Sequence, residues 1–357
     1  MMDRRGLFRS SGAAVGAMIV GAGVASAGVA SAGVAEAAQA APSTTPKAPA
    51  TSPTFLPLPD RVKPLPNNGN GYRLQRAGRN AYVVTVGPVQ SVFVVTNTGV
   101  VLVDAPPASH GLLQTAITSV TNKPVTHVIY SHDHLDHIGA VNDFPNATRI
   151  AHAETARMLA LFNDPARPLP QKTFTNTHSV LYIGGEEIHL FYSGPNHEVG
   201  NILTYFPAQR LAVLIDVAFP GWVPYRGWGN AVYLPGILLA HDAALELSFD
   251  TFVGGHVYRT GTRDDVQQSR DFFVDLWETT QATKAKILLS DVEAALAEPA
   301  NFWAATTVWL DRISQSVTNE LIDRWGSKLA GTDTFTTATV SAAVISMSTD
   351  DGPVSAT

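Results

Sequence analysis

The chain of 357 residues contains no cysteine. Disulfide bonds are therefore excluded, and so are the thiolate ligands that many zinc sites use. Any metal site must be built from nitrogen and oxygen ligands. The core, together with any bound metal, must stabilise the fold without covalent cross-links.

The chain also lacks an excess of positive charge, because 24 lysines and arginines face 30 aspartates and glutamates, for a net charge of −6. Proteins that bind nucleic acid usually carry a basic patch, so we expect no nucleic-acid partner. The hydrophobic content of 45% is sufficient for one large domain or a domain with an appendage.

The first 40 residues carry almost no charge beyond three arginines near the start. An uncharged Ala/Gly/Val run over residues 10–35 follows them, and residues 38–40 (AQA) fit a signal-peptidase site. Residues 4–8 (RRGLF) resemble a twin-arginine export signal. The run is long enough for a membrane anchor, but its glycines and alanines make it weakly hydrophobic. We therefore expect an exported protein, secreted or in the cell envelope, without stable membrane association after cleavage.

The densest chemical feature is the segment SHDHLDHIGA, residues 131–140. Histidines and carboxylates in this density are the ligand types that zinc and similar divalent metals prefer. His132 and His134 are two residues apart, so an extended segment or a tight loop can direct both to one ion, whereas a helix needs a spacing of four. Residues 125–130 (VTHVIY) are typical of a buried strand, and Gly139 permits a turn. The pattern predicts a metal-binding loop at the end of a strand.

His-x-His-x-Asp-His after a strand resembles the signature of the metallo-β-lactamase superfamily, and the resemblance extends over residues 72–280. It implies an α+β fold, the four-layer αββα sandwich, with a one- or two-metal site on one edge and here a C-terminal helical extension. The expected organisation is a signal peptide over residues 1–40, a Pro-rich linker or arm over 41–70, the core over 71–262, C-terminal helices over 263–329 and a Thr/Ser/Ala-rich tail over 330–357.

Hydrophobic periodicity predicts the elements of this sandwich. Strands are expected over residues 80–86, 91–96, 100–103, 178–183, 187–192, 201–206 and 211–215. Helices are expected after Ser109, over residues 153–162, from Thr262 with a capping box to Asp265, from Ser290, and from residue 300 to 325. The last three carry apolar stripes that either cover the sandwich or form a homodimer face.

The resemblance implies seven metal ligands, each of them a histidine or aspartate placed at the end of a strand. These are His132, His134 and His197 on the first ion, Asp136, His137 and His256 on the second, and Asp216 between them. This set with a bridging aspartate is similar to that of glyoxalase II and lactonases. Asp104 either supports the metal loop or caps a turn. The other histidines are predicted to be structural or exposed: His110, His127, His152, His178, His189 and His241.

A ligand set of this kind implies a hydrolase with two zinc ions, or iron or manganese in their place. The ions would activate water for attack on a carbonyl carbon, and Asp136 would orient the water or transfer a proton. The bridging carboxylate favours a lactone or another carboxylic ester as the small-molecule substrate. Aromatic residues in the loop 219–235 are predicted to form a wall for an apolar substrate, the alternative being a loop packed on the body. They are Trp222, Tyr225, Trp228 and Tyr233.

Three other functions remain open at this point. One is β-lactam hydrolysis, although the cysteine-free di-zinc β-lactamases usually lack a bridging carboxylate. Another is a mononuclear-iron persulfide dioxygenase, because some proteins that resemble this motif set bind one iron. The third is a metal-binding protein without catalytic activity.

Overall fold

Two β-sheets form the centre of the computed structural model, which describes residues 55–63, 69–296 and 301–350. The predicted signal peptide and most of the predicted arm lie outside the described residues. The first sheet has strands in sequence order: β1 (Arg73–Arg76), β2 (Ala81–Val86), β3 (Val89–Val95), β4 (Val100–Val103), β5 (Val125–Ile129), β6 (Thr148–His152) and β7 (Lys172–Phe174). Pairing is antiparallel from β1 to β4 and parallel from β4 to β7.

The second sheet has the order β12-β11-β10-β9-β8. Its strands are β8 (His178–Ile183), β9 (Glu186–Phe191), β10 (Leu203–Phe206), β11 (Leu211–Leu214) and β12 (Thr251–Val253). Only the β11–β12 pair is parallel in this sheet. Both sheets therefore contain parallel strands whose carboxyl ends can present residues on one edge.

Helices follow or connect the strands of the two sheets. They are α1 (Leu112–Thr118), α2 (Leu135–Ile138), α3 (Ala153–Phe162), α4 (Arg226–Asn230), α5 (Leu234–Leu245), α6 (Arg263–Lys286), α7 (Leu289–Ala294), α8 (Phe302–Trp325) and α9 (Thr332–Thr349). None of the helices in the described ranges has the length and apolar character needed to cross a bilayer.

Alternating side chains build the layers. On β4, Val101 and Val103 belong to the core between the sheets, whereas Val100 and Leu102 pack on the other face with α1. All four side chains of this strand are buried, so a continuous apolar run marks a strand covered on both faces. A third cluster joins the second sheet to α5, α6, α8 and α9. The predicted αββα sandwich with C-terminal helices is thus confirmed.

The predicted stripes of α6 and α8 cover the second sheet, since Phe273 and Trp277 of α6 pack with Ile313 and Val317 of α8 in this cluster. These contacts lie within one chain and do not test the predicted homodimer, which stays a prediction. The capping box at the start of α6 is present. Two expected helix starts differ, because Gly111 rather than Ser109 precedes α1 and because α7 begins one residue before Ser290.

Residues 330–357, expected to be a tail, contain the 18-residue helix α9. Threonine has a low helix propensity, so the sequence of this segment does not favour a helix by itself. Packing against α8 stabilises it instead. Both helices contribute buried apolar residues to the third cluster, among them Val317 and Leu321 of α8 and Val340 and Val344 of α9. They also meet through polar contacts, with Ser314 Oγ 2.8 Å from Ser341 Oγ and Thr318 Oγ1 3.0 Å from Thr337 Oγ1.

Candidate metal centre

Four strand ends meet at one edge of the sandwich, and each is followed closely by a histidine or an aspartate. Asp104 follows β4, His132 follows β5, Asp216 follows β11 and His256 follows β12. Asp104 and Asp216 have positive φ angles of 59° and 61°. Aspartate tolerates this left-handed conformation better than most residues, and such strained positions concentrate at functional sites.

The first group consists of His132, His134, His197 and Asp216, whose ligand atoms all lie within 4.8 Å of one another. His197 Nε2 is 3.1 Å from His134 Nδ1. Asp216 Oδ2 is 3.4 Å from His197 Nε2 and 3.9 Å from His132 Nε2. One divalent ion could therefore be held by three imidazole nitrogens and a carboxylate oxygen.

The second group consists of Asp136, His137 and His256, again within 4.8 Å. His137 Nε2 lies 3.0 Å from His256 Nε2. Asp216 also touches this group, with Oδ2 3.0 Å from His137 Nε2 and Oδ1 3.4 Å from His256 Nε2. The structure brings all seven predicted ligands together and places the Asp216 carboxylate between the two groups. Their roles as ligands remain a prediction.

The metal segment differs from expectation in one respect. Residues 131–140 were predicted as a loop, but Asp136 and His137 lie on the single-turn helix α2, with His134 at its start. The turn is closed by hydrogen bonds from the His137 and Ile138 amides to the His134 carbonyl oxygen. It directs His137 towards the second group while His132 and His134 face the first.

Buried polar atoms in the centre fit a bound cation. His132 Nε2 and Asp216 Oδ1 are both buried and make no hydrogen bond to a described residue. A buried polar atom left in this way costs about 1–3 kcal/mol. A divalent ion would satisfy both atoms, and nitrogen and oxygen donors in this combination suit zinc, iron and manganese.

The charge states of the first group also suit a metal. Burial holds the pKa of His132 well below its usual value and lowers that of His197 to about 4, so both are neutral imidazoles, the form that binds metals. Burial acts to raise the pKa of Asp216, but the charge of His137 and its hydrogen bond to this carboxylate outweigh burial and hold the pKa well below its usual range. His132 and His197 are therefore neutral nitrogen donors next to an ionised carboxylate.

In the second group, His256 holds its proton tightly, while Asp136 is ionised. Burial acts to lower the pKa of His256, but the Asp136 and Asp216 carboxylates, each 3.4 Å from its Nε2, outweigh burial and raise the pKa to about 10. The same contact with His256 lowers the pKa of Asp136 to about 2. A cation that takes the place of this proton would release it on binding.

Asp104 supports the metal segment rather than only capping a turn. Its carboxylate accepts hydrogen bonds from the Ser131 amide at 2.8 Å and from the Ser131 hydroxyl at 2.6 Å. Ser131 Oγ in turn lies 2.9 Å from His132 Nδ1. This chain of contacts fixes the orientation of the His132 ring, and burial raises the pKa of Asp104 to about 6.

Glu198 is a functional residue that sequence reasoning did not identify. Its Oε1 lies 2.7 Å from His134 Nε2, and its side chain is only 12% exposed. This contact places the proton of His134 on Nε2 and leaves Nδ1 directed at His197. Carboxylates in this position orient a metal-binding histidine and raise its basicity. The signal in the sequence was an acidic residue directly after a predicted ligand.

We expect the substitution Glu198→Gln to weaken metal binding by about 10–100-fold, the usual effect of losing such a supporting carboxylate. Competition with a chromogenic chelator measures the affinity. A matched control exists on β9, where Glu187 Oε1 lies 2.6 Å from His189 Nε2 outside both groups. Glu187→Gln should change the affinity less than about twofold. Equal effects of the two substitutions would contradict the role of Glu198.

A cavity of about 680 Å³ opens at the centre. Its lining includes Trp222 and Tyr225 but neither Trp228 nor Tyr233. Trp228 is fully buried in the core against Phe273, and its Nε1 donates a hydrogen bond to the Val217 carbonyl oxygen at 2.9 Å. The prediction that all four aromatic residues form the substrate wall is therefore corrected to the first two.

The histidines predicted to be structural or exposed lie outside both groups of potential ligands in the described residues. Among them, His241 is buried with Nδ1 2.8 Å from the Ile237 carbonyl oxygen and Nε2 3.0 Å from Ser269 Oγ. Both of its nitrogens have protein partners. This distinguishes it from His132.

Comparison with known proteins agrees with this geometry. Residues 84–278 match the model of the metallo-beta-lactamase superfamily. The chain is 32% identical over 221 residues to 2,4-dinitroanisole O-demethylase subunit alpha of Nocardioides sp. (strain JS1661). The matched residues make up 59% of this chain and 64% of that protein. The chain is also 28% identical over 167 residues to metallo-beta-lactamase type 2 of Elizabethkingia meningoseptica, covering 43% and 66% respectively. The chain thus matches slightly less than two thirds of the length of each relative.

A solved structure shows the same fold. The metallo-beta-lactamase from Pontibacter korlensis superposes with a TM-score of 0.50 at 19% identity, covering 57% of this chain and 99% of that one. The family model spans more than half of the present chain and includes every residue of the two histidine and aspartate groups. The chain belongs to the metallo-β-lactamase superfamily.

Proposed function

We propose that the protein is a hydrolase of uncharged carboxylic esters or lactones with two zinc ions as cofactors. The observation that supports this most strongly is the position of Asp216, whose carboxylate contacts His137, His197 and His256 beneath one cavity. Two divalent ions held there would polarise a carbonyl oxygen and lower the pKa of water to about 7.

Asp136 is the residue best placed to move a proton. It lines the cavity, its side chain is 58% exposed, and its Oδ2 lies 3.4 Å from His256 Nε2. In this position its carboxylate can orient the attacking water and accept its proton. The proton then passes to the leaving alkoxide as the ester C–O bond breaks, and a carboxylic acid and an alcohol result.

The composition of the cavity supports an uncharged substrate. Outside the two metal groups, the described lining residues include no lysine, arginine, aspartate or glutamate. They are Pro88, Leu135, Phe219, Trp222, Val223, Tyr225, Gly229, Asn230, Val257, Tyr258 and Phe335. A carboxylate on the substrate would lose its hydration without gaining a cationic side chain as partner. This favours esters and lactones over penicillins and cephalosporins, which carry a carboxylate.

Cleavage of an activated aryl methyl ether is a second candidate. The Nocardioides relative is named for O-demethylation of 2,4-dinitroanisole, a neutral nitroaromatic ether, and an uncharged aromatic cavity suits such a ring. In this reaction water adds to the ring carbon that bears the methoxy group. The bond between that carbon and the methoxy oxygen breaks, methanol leaves, and dinitrophenol remains.

A substrate panel with the zinc-loaded protein tests both candidates. We expect turnover of phenyl acetate or of a γ-lactone, with a chromogenic cephalosporin hydrolysed at least tenfold more slowly. Release of 2,4-dinitrophenol from 2,4-dinitroanisole without ester turnover would favour the ether reaction. Oxygen uptake with glutathione persulfide by a protein containing one iron would instead support the dioxygenase.

We further propose export by the twin-arginine route, on the basis of the sequence of residues 1–40. A reporter fused to this segment should be exported, and replacement of Arg4 and Arg5 by lysine should abolish export because twin-arginine signals depend on that pair. Equal export with the lysine pair would contradict the proposal.

A further inference from the structure

The C-terminal helix α9 contributes to the cavity above the metal centre. Phe335, in the first turn of α9, lines this cavity together with Trp222 and Tyr225. Residues 84–278 match the superfamily model, so α9 lies outside the matched segment. Part of the cavity wall therefore comes from outside the segment that matches the superfamily model.

Backbone pairing joins the start of α9 to the aromatic loop. The Val223 amide donates to the Ala330 carbonyl oxygen at 2.9 Å, and the Ala330 amide donates to the Gly221 carbonyl oxygen at 3.0 Å. Trp222 and Ala330 form a parallel β-bridge. These bonds hold the backbone of the aromatic loop next to Ala330, two residues before α9 begins.

Gly331 allows the aromatic side chains to approach one another. Its φ angle is +76°, and a Cβ atom there would lie 2.8 Å from Phe335 Cδ2 and 3.5 Å from Trp222 Cε3. Any side chain at this position would displace the Phe335 ring as well as strain the backbone. The position therefore favours glycine because Phe335 and Trp222 lie against it.

The described part of the N-terminal arm secures the same region from outside. The Leu56 amide donates to Asp333 Oδ2 at 2.7 Å. Arg61 donates to the Lys328 carbonyl oxygen and, at 2.7 Å, to Gln268 Oε1 on α6. The arm therefore bonds to the first turn of α9, and the aromatic loop bonds to Ala330 just before it. These bonds hold the Phe335 side of the cavity in place before any substrate binds, so less conformational entropy is lost on binding.

The rings of Tyr225 and Phe335 form a tilted aromatic pair with centroids 5.3 Å apart and an interplanar angle of 59°. Aromatic rings in such pairs favour a further ring that packs edge-to-face or offset against them. We infer that Phe335, Tyr225 and Trp222 form a subsite for the ring of an uncharged aryl substrate, so that α9 determines substrate preference. The inference rests on the proposed function for the chemistry, but not for the binding.

The substitution Phe335→Leu tests the subsite. For Phe335→Leu, which keeps an apolar side chain but removes the ring, we expect the KM for phenyl acetate to rise about tenfold, while that for ethyl acetate changes less than about twofold. Ile345→Ala on the same helix is the control, because Ile345 is 53% exposed and does not line the cavity. Equal changes for the two esters would overturn the inference. Thermal unfolding identifies any variant that fails to fold.

A binding measurement separates this inference from the proposed reaction. Acetophenone is neutral, carries a phenyl ring and has no ester bond to cleave, so calorimetric titration reports on the subsite alone. We expect Phe335→Leu to weaken its binding about tenfold relative to the wild-type protein and to Ile345→Ala. If wild type hydrolyses no ester but shows this difference, the proposed reaction fails and the subsite stands. If acetophenone does not bind, or binds wild type and Phe335→Leu equally, the subsite is wrong.

Discussion

The substitution Asp216→Asn is expected to reduce kcat/KM for ester hydrolysis at least about 100-fold and to lower the bound metal from two ions per chain towards one. Residues that only support metal ligands cost 10–100-fold in affinity or activity when replaced, and Asp216 itself contacts both groups. Asparagine keeps the shape of the side chain but removes the negative charge that two cations would share. Elemental analysis and ester kinetics on the same preparation measure the two effects.

Asp250→Asn provides the control for this substitution. Asp250 is also bonded, to Arg210 at 2.6 Å, but it lies at the surface with its side chain 67% exposed and takes no part in either group. Its replacement should leave metal content and kcat/KM within about twofold of wild type. An Asp216→Asn protein with two ions and normal kinetics would show that the carboxylate does not join the groups.

Removal of metal by a chelator is expected to lower the melting temperature by roughly 5–10 °C. An ion at 100 times its Kd stabilises the folded state by about 2.7 kcal/mol, and each kcal/mol corresponds to about 2–4 °C for domains of 150–250 residues. The physical reason is that buried ligand atoms such as His132 Nε2 lose their partner when the metal leaves. Calorimetry with and without chelator measures the shift.

The Asp216→Asn variant also serves as the reference for this measurement. Because it should retain fewer ions, its melting temperature should fall less on chelation than that of wild type. Restoration of the wild-type value on addition of zinc would show that the loss is reversible. A wild-type protein whose melting temperature does not respond to chelation would contradict a structural contribution from metal.

Local patterns in the sequence identified the metal segment and most strands, whereas the sandwich and the full set of ligands followed from the resemblance to the superfamily. The spacing of His132, His134 and His137 is a short-range feature, and β-branched runs such as β4 mark buried strands. His197 and His256 carry little information individually. Their order after successive strands, compared with the superfamily, indicated where they would lie.

Features that depend on distant contacts were not predictable in the same way. Trp228 lies in an aromatic loop whose composition fits either a cavity wall or a packed core. Only the burial of Trp228 against α6 distinguishes the two. Strand β7 has 3 residues, too short for a clear period, and β6 contains Arg149 and His152 instead of a continuous apolar run. The Thr-rich sequence of α9 is helical because of its contacts with α8. The pairing of Glu198 with His134 joins segments 64 residues apart.

The central claim is that two cations bind on either side of the Asp216 carboxylate, and anomalous X-ray scattering at the zinc edge tests it most directly. Data from crystals of the zinc-loaded protein should show two peaks, one at His132, His134 and His197 and the other at Asp136, His137 and His256. A single peak at one group, or peaks away from Asp216, would contradict the account.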